Sequence, residues 1–147
     1  MSQSLSLEPD PRLLPMLGEI DLPQERCLAE LVDNSIDGFL KENREDVADY
    51  TPQVSVELPT TEDDATSARI LVSDNGPGMT TDLLEKAVKA GWTGNDPISN
   101  LGLFGMGFNI ATARLGRIIH VWTTMRGEDT WRGIEIDFFK LIENGSF

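Results

Sequence analysis

Three glycines within six residues, Gly102-Leu103-Phe104-Gly105-Met106-Gly107, with Phe108 behind them, constrain this chain more than any other stretch. Bare glycine backbone presents N–H groups that can crowd an anion. The apolar residues Phe108, Ile110, Ala111 and Leu115 then recur as on a helix that stops at Gly116, and the positive end of that helix faces the same point. Taken alone, the pattern is a phosphate cradle. No Gly-x-x-x-x-Gly-Lys-Ser/Thr occurs, and Gly-x-x-Gly-x-Gly reverses the order of the dinucleotide fingerprint. Phosphates bound here would be held without a P-loop lysine.

The partner cannot be nucleic acid gripped by charge. The formal charge is -13, from 12 basic and 25 acidic residues, and it repels polyphosphate backbones and acidic membrane surfaces alike. A length of 147 residues fits one domain with a single core. The lone Cys27 cannot form an internal disulfide, so nothing points to an oxidising compartment. No basic-then-apolar leader opens the chain, and no run approaches the ~18 apolar residues of a membrane helix. The expectation is a cytoplasmic protein, nuclear in a eukaryote.

Along the chain, residues 1–19 read as an irregular arm, punctuated by Pro9, Pro11 and Pro15. Asp21-Leu22-Pro23-Gln24 resembles a helix start with Asp21 as cap, and the spacing predicts a helix over about 23–43. Leu28, Leu31, Val32, Ser35, Phe39 and Leu40 form its core face; Glu30, Asn34, Asp37 and Lys41 form the opposite stripe, which a merely solvated face would match equally well. Val54, Val56 and Leu58 alternate as in a strand, 59–67 reads as a surface turn, and Ala68–Val72 as a buried central strand. Asp74-Asn75-Gly76-Pro77-Gly78-Met79 follows. Its glycines let backbone pass close to a flat ligand and Asp74 offers an acceptor, although a plain Asx-type turn uses the same residues.

Thr80 or Thr81 caps a further helix with Leu83, Leu84, Ala87 and Val88 inward, and Gly91 lies past its end. The glycine-rich stretch 91–104, with Trp92 near its start, has the composition of a lid. After the glycine cluster and its helix, 117–124 and 130–139 read as a hairpin turning at Gly127-Glu128-Asp129, with Ile134, Ile136 and Phe138 alternating. His120 reads as a strand residue, since no Cys or second His accompanies it. Trp122 and Trp131 read as cross-strand packing.

Three stretches together resemble the boxes of the GHKL superfamily of gyrase B, the ninety-kilodalton heat-shock chaperones, histidine kinases and MutL. Glu30-x-x-x-Asn34-Ser35-x-Asp37 matches its N-box, Asp74-x-Gly76-x-Gly78-Met79 its first glycine box, and Gly102-x-Phe104-Gly105-x-Gly107-Phe108 its second. The similarity spans roughly 20–138 and within the superfamily is greatest to the MORC and MutL branches; Asn109 departs from the lysine that MORC-type sequences often carry. The resemblance implies an α/β two-layer sandwich, helices on a mixed, mostly antiparallel sheet (the Bergerat ATP-binding fold), over residues 20–147.

It also implies ATP and Mg²⁺ as ligands. Asn34 would supply the metal with an amide oxygen, and Glu30 would orient or deprotonate the attacking water. Asp74 would accept from the adenine amine. Gly76, Gly78 and Met79 would line the base pocket, and the N–H groups of Gly102, Leu103, Phe104, Gly105, Met106, Gly107 and Phe108 would hold phosphates. Asp37, Lys41 and Thr93 are further candidates by stripe or lid position. A glutamate four residues before the N-box Asn favours hydrolysis over phosphotransfer to a histidine, the kinase alternative, or over a non-hydrolysing nucleotide module. Members of the superfamily continue into a second domain that completes the γ-phosphate site, so the chain would act with a downstream domain or partner protein, turn over weakly alone, dimerise with ATP, and bind neither nucleic acid nor membrane directly.

Overall fold

The computed structural model describes residues 13–42, 50–64, 66–89 and 106–144. Their order is α1 (Leu13–Leu17), α2 (Gln24–Lys41), β1 (Val54–Glu57), β2 (Leu71–Asp74), α3 (Thr81–Lys89), α4 (Met106–Leu115), β3 (Ile118–Thr123), β4 (Arg132–Asp137) and α5 (Phe138–Asn144). The chain is thus mixed α/β, and among the described residues its strands pair antiparallel in two ladders, β1 with β2 and β3 with β4.

The core lies where α3, the β3–β4 hairpin and α5 meet. Leu84 and Val88 of α3 are buried against Ile136, Phe138 and Leu141, and Leu17, Met79, Ala113, Ile119, Val121 and Ile134 pack around them. The inward residues of β3 and β4 alternate, as a ladder with one covered face requires. Thr80 caps α3 through its Oγ1, which accepts from Leu83 N at 3.3 Å. Leu84, Ala87 and Val88 are buried as expected, whereas Leu83, expected inward with them, is 40% exposed at the edge of that face.

Two helices were not expected. The arm contains α1, in which Pro15 sits in the first turn, where a missing N–H is harmless. Its end approaches α4 closely: a Cβ on Gly18 would lie 2.9 Å from Ala113 O. The strand expected to reach 139 ends at Asp137, whose Oδ1 accepts from Phe139 N (3.0 Å) and Lys140 N (3.4 Å) and starts α5. Phe138 keeps its place in the core, 7% exposed, as the first residue of a helix.

The α2 helix runs close to its expected length but starts differently. Pro23 occupies the N-cap position with extended ψ of 144°, and no side chain caps the end, so Asp21 does not serve as cap. Cys27 and Phe39 are the buried residues of α2, whereas Leu40, expected inward, is 69% exposed at the last turn. The expected buried central strand is also shifted and more open. Asp64 O accepts from the N–H groups of Ser67 and Ala68, drawing Ala68 into the preceding turn. The strand begins at Leu71, itself 46% exposed, with β1 as its hydrogen-bonded neighbour.

Candidate functional site

The N-box helix carries its polar stripe toward the other two boxes. A Cβ on Gly107, in the first turn of α4, would collide with Glu30 Oε2 and lie 3.2 Å from Glu30 Cδ. A glycine here leaves room for that carboxylate close to the helix start, where unsatisfied N–H groups favour negative charge; a larger residue would displace the Glu30 side chain. At the far end of α4, Arg114 donates from Nε to Leu22 O and from Nη1 to Gly18 O, both at 3.4 Å. Contacts at 30 with 107 and at 22 with 114 run the two helices antiparallel.

Asn34 stands one turn beyond Glu30 on α2, about 6 Å further along the axis. It is half-buried, and its Nδ2 is buried with no hydrogen-bond partner among the described residues. A wholly solvated stripe would leave that amide end in water, so this atom sets Asn34 apart from its exposed neighbours on α2. Asp37 is half-buried on the same stripe, and Lys41, the last residue of α2, is exposed. Asn109, on α4, is 3% exposed, and its Nδ2 has no partner among the described residues.

The first glycine box closes on the middle and end of α2. Asp74 Oδ1 accepts from Gly76 N at 2.9 Å, an Asx turn, and Oδ2 accepts from Ser35 Oγ at 2.9 Å. Each carboxylate oxygen has a second lone pair, so the turn and a role in recognising a ligand amine are compatible. A Cβ on Gly76 would sit 2.8 Å from Asp74 Oδ1 and 3.3 Å from Phe39 Cε1. Gly78 takes φ +76° and would place a Cβ onto Thr124 O, so the loop is pressed against the end of β3. There Met79 N donates to the buried Thr123 Oγ1 at 2.8 Å, and Arg126 N donates to Pro77 O at 3.3 Å. The Met79 side chain, expected to line a base pocket, packs on the core cluster.

A second set of contacts holds the loop from outside. Arg126 Nη2 donates to Asn75 O (3.3 Å) and pairs with Glu42 Oε1 (3.3 Å), while its guanidinium lies 4.1 Å over the Tyr50 ring. Tyr50 Oη donates to Glu42 Oε2, and this bond, reinforced by burial, pushes the phenol above its ordinary pKa. Asn75 ties the loop to the residues before β1, accepting from Gln53 N at 2.8 Å and donating to Thr51 O at 3.0 Å. None of Ser35, Thr123, Tyr50 and Arg126 was singled out for this site from the sequence. Ser35 had a visible signal, its place beside Asn34 in the N-box; the others belong to separate stretches.

Of the remaining candidates, Thr93, Gly102, Leu103, Phe104 and Gly105 lie outside the described residues, as does the expected lid. Met106, Gly107 and Phe108 form the first turn of α4, and Phe108 O accepts from Thr112 Oγ1 at 2.8 Å. Cys27 is a core residue: burial pushes its thiol up, against the lowering effect of Arg114, and leaves it little nucleophilic character. His120 faces Glu135 across the hairpin with 3.7 Å between Nδ1 and Oε2, and the Trp122 ring lies over Gly133. Both behave as strand residues. No helix among the described residues is long and apolar enough to cross a membrane.

Comparison with known proteins agrees with this geometry. Residues 22–144 match the family described as "Histidine kinase-, DNA gyrase B-, and HSP90-like ATPase". The chain is 32% identical to Protein MICRORCHIDIA 5 of Arabidopsis thaliana over 102 residues, 69% of this chain and 13% of that protein. It is 28% identical to Protein MICRORCHIDIA 7 and 29% identical to Protein MICRORCHIDIA 4 of the same plant, each over 104 residues and 70% of this chain, covering 13% and 12% of those proteins. The chain therefore spans about an eighth of the length of these relatives. With its N-box helix, first glycine box and the start of α4 brought together, and with most of its length matched, the chain belongs to the GHKL family of ATPase domains and is MORC-like within it.

Proposed function

We propose that the chain binds ATP with Mg²⁺, hydrolyses it slowly, and serves as a nucleotide-gated dimerisation and conformational switch of a larger protein. The observation that carries the reading is the Glu30 carboxylate set against Gly107 at the start of α4, joining the acid of the N-box to the end of the second glycine box. The residues present suit the ligands. Asn34 carries an amide oxygen, a hard, neutral ligand of the kind Mg²⁺ takes beside phosphates and water, and its Nδ2, without a partner among the described residues, can donate to a phosphate oxygen or water. When bound, Mg²⁺ supplies positive charge to a site whose own chain is strongly acidic.

In this reading Asp74 accepts from the adenine amine, and Gly76, Gly78 and Met79 shape the loop that lies against the base. Backbone N–H groups of Gly102, Leu103, Phe104, Gly105, Met106, Gly107 and Phe108 hold phosphate oxygens, with Asp37, Lys41 and Thr93 as outlying contacts. Glu30 aligns a water with the γ-phosphorus and takes its proton on a carboxylate oxygen as the new P–O bond forms and ADP leaves. A cytoplasmic or nuclear setting, and completion of the site by a downstream domain or partner, belong to the same proposal.

The test is ATP turnover by the full-length protein and by Glu30→Gln. Loss of the base should lower turnover by about 10²–10⁴-fold with nucleotide affinity kept. Undiminished turnover, or phosphate appearing on a partner histidine instead of in solution, overturns the hydrolytic reading.

A further inference from the structure

We propose that Ser35 is a positioning residue for base selectivity: through Asp74 it fixes the acceptor that distinguishes adenine from guanine. The inference rests on the ATP reading above. Asp74 is exposed, so packing does not hold its carboxylate, and the terminal torsion of an aspartate is intrinsically broad. Two donors hold it instead. Gly76 N belongs to the same loop and moves with it, whereas Ser35 Oγ, 2.9 Å from Oδ2, reaches across from α2.

A helical serine commonly turns its hydroxyl back to the carbonyl one turn earlier, here that of Leu31. Ser35 turns outward and donates to Asp74. The bond therefore locks the loop carboxylate to the helix that bears Glu30 and Asn34, and sets the distance between the base end and the reacting end of a bound nucleotide. Adenine presents an exocyclic amine where guanine presents a carbonyl oxygen. An acceptor held in one orientation takes a hydrogen bond from the first and opposes the lone pairs of the second; a carboxylate free to turn away discriminates less.

The test is equilibrium binding of fluorescent ATP and GTP analogues, with Mg²⁺, to the wild-type protein, Ser35→Ala, Ser35→Thr and Asp74→Asn. Ser35→Ala should weaken ATP by roughly five- to tenfold and leave GTP unchanged, so that the ATP/GTP ratio falls by the same factor. Ser35→Thr, which keeps the hydroxyl, should restore the ratio. An unchanged ratio in Ser35→Ala beside a loss in Asp74→Asn overturns this inference and leaves the ATP site standing. Equal losses in Ser35→Ala and Ser35→Thr assign the effect to packing and overturn it too. A wild-type protein that binds neither nucleotide removes the ATP reading and this inference with it.

Discussion

Gly78 and Gly127 both adopt positive φ, at +76° and +82°, yet only Gly78 is crowded. A Cβ on Gly127 meets nothing within 4 Å, whereas on Gly78 it would strike Thr124 O and lie 2.6 Å from Thr124 C. Gly78→Ala should therefore destabilise by about 2–4 kcal/mol, the left-handed strain plus displacement of backbone, and Gly127→Ala by about 1–2 kcal/mol from strain alone. Urea midpoints of the two variants check the order; equal midpoints contradict the close docking of the loop on β3. At this scale Glu30, Asn34, Asp74 and Gly107 were picked out in the sequence by the spacing of the boxes they resemble, and the structure sets Glu30 beside Gly107 and joins Asp74 to Ser35 of the same helix. Ser35 was visible as part of the N-box, but its partner, like that of Thr123, was not, since a hydroxyl declares no partner until the fold supplies one 39 or 44 positions away.

Elements with a periodic apolar pattern were read from the sequence close to where they lie: α2, α3, α4 and the β3–β4 hairpin. Those that escaped are α1 and α5, helices of 5 and 7 residues that are too short to show a period. Phe138 illustrates the difficulty, because alternation with Ile134 and Ile136 continues through it while Asp137 is already capping the helix. Burial works against ionised Asp137, but the N–H groups of Phe139 and Lys140, aided by the charges of Lys140 and Arg117, outweigh it and hold the carboxyl below its ordinary pKa. A depressed folded-state pKa gives stability that is present above the unfolded value of about 3.9 and is lost as pH falls through the folded value. Asp137→Ala should thus lower the Tm at pH 7, by removing the cap, and the gap to wild type should narrow below about pH 4. A gap that stays constant from neutral to acid pH contradicts the cap.

Across the whole molecule, one helix links the parts of the site. From α2, Glu30 meets the start of α4, Ser35 meets the end of β2, and Phe39 lies under the loop that follows. The strand pairing behind this frame was the least legible part, because a ladder depends on distant partners: β1 and β2 were read as hairpin strands, but the covered face assigned to β2 is largely exposed. On the proposed reading the net charge of -13 matters at this scale, since a polyphosphate would be held by backbone amides and a metal instead of by lysines. The most direct measurement is the Tm of the protein with and without Mg²⁺ and a non-hydrolysable ATP analogue, set beside that of Asp74→Asn. At ~100 times its dissociation constant the ligand should stabilise by about 2.7 kcal/mol, a rise of several degrees for a domain of this size, and the rise should be lost in the variant. No rise in the wild type, or an equal rise in both proteins, would contradict an adenine nucleotide site built on Asp74 and the N-box helix.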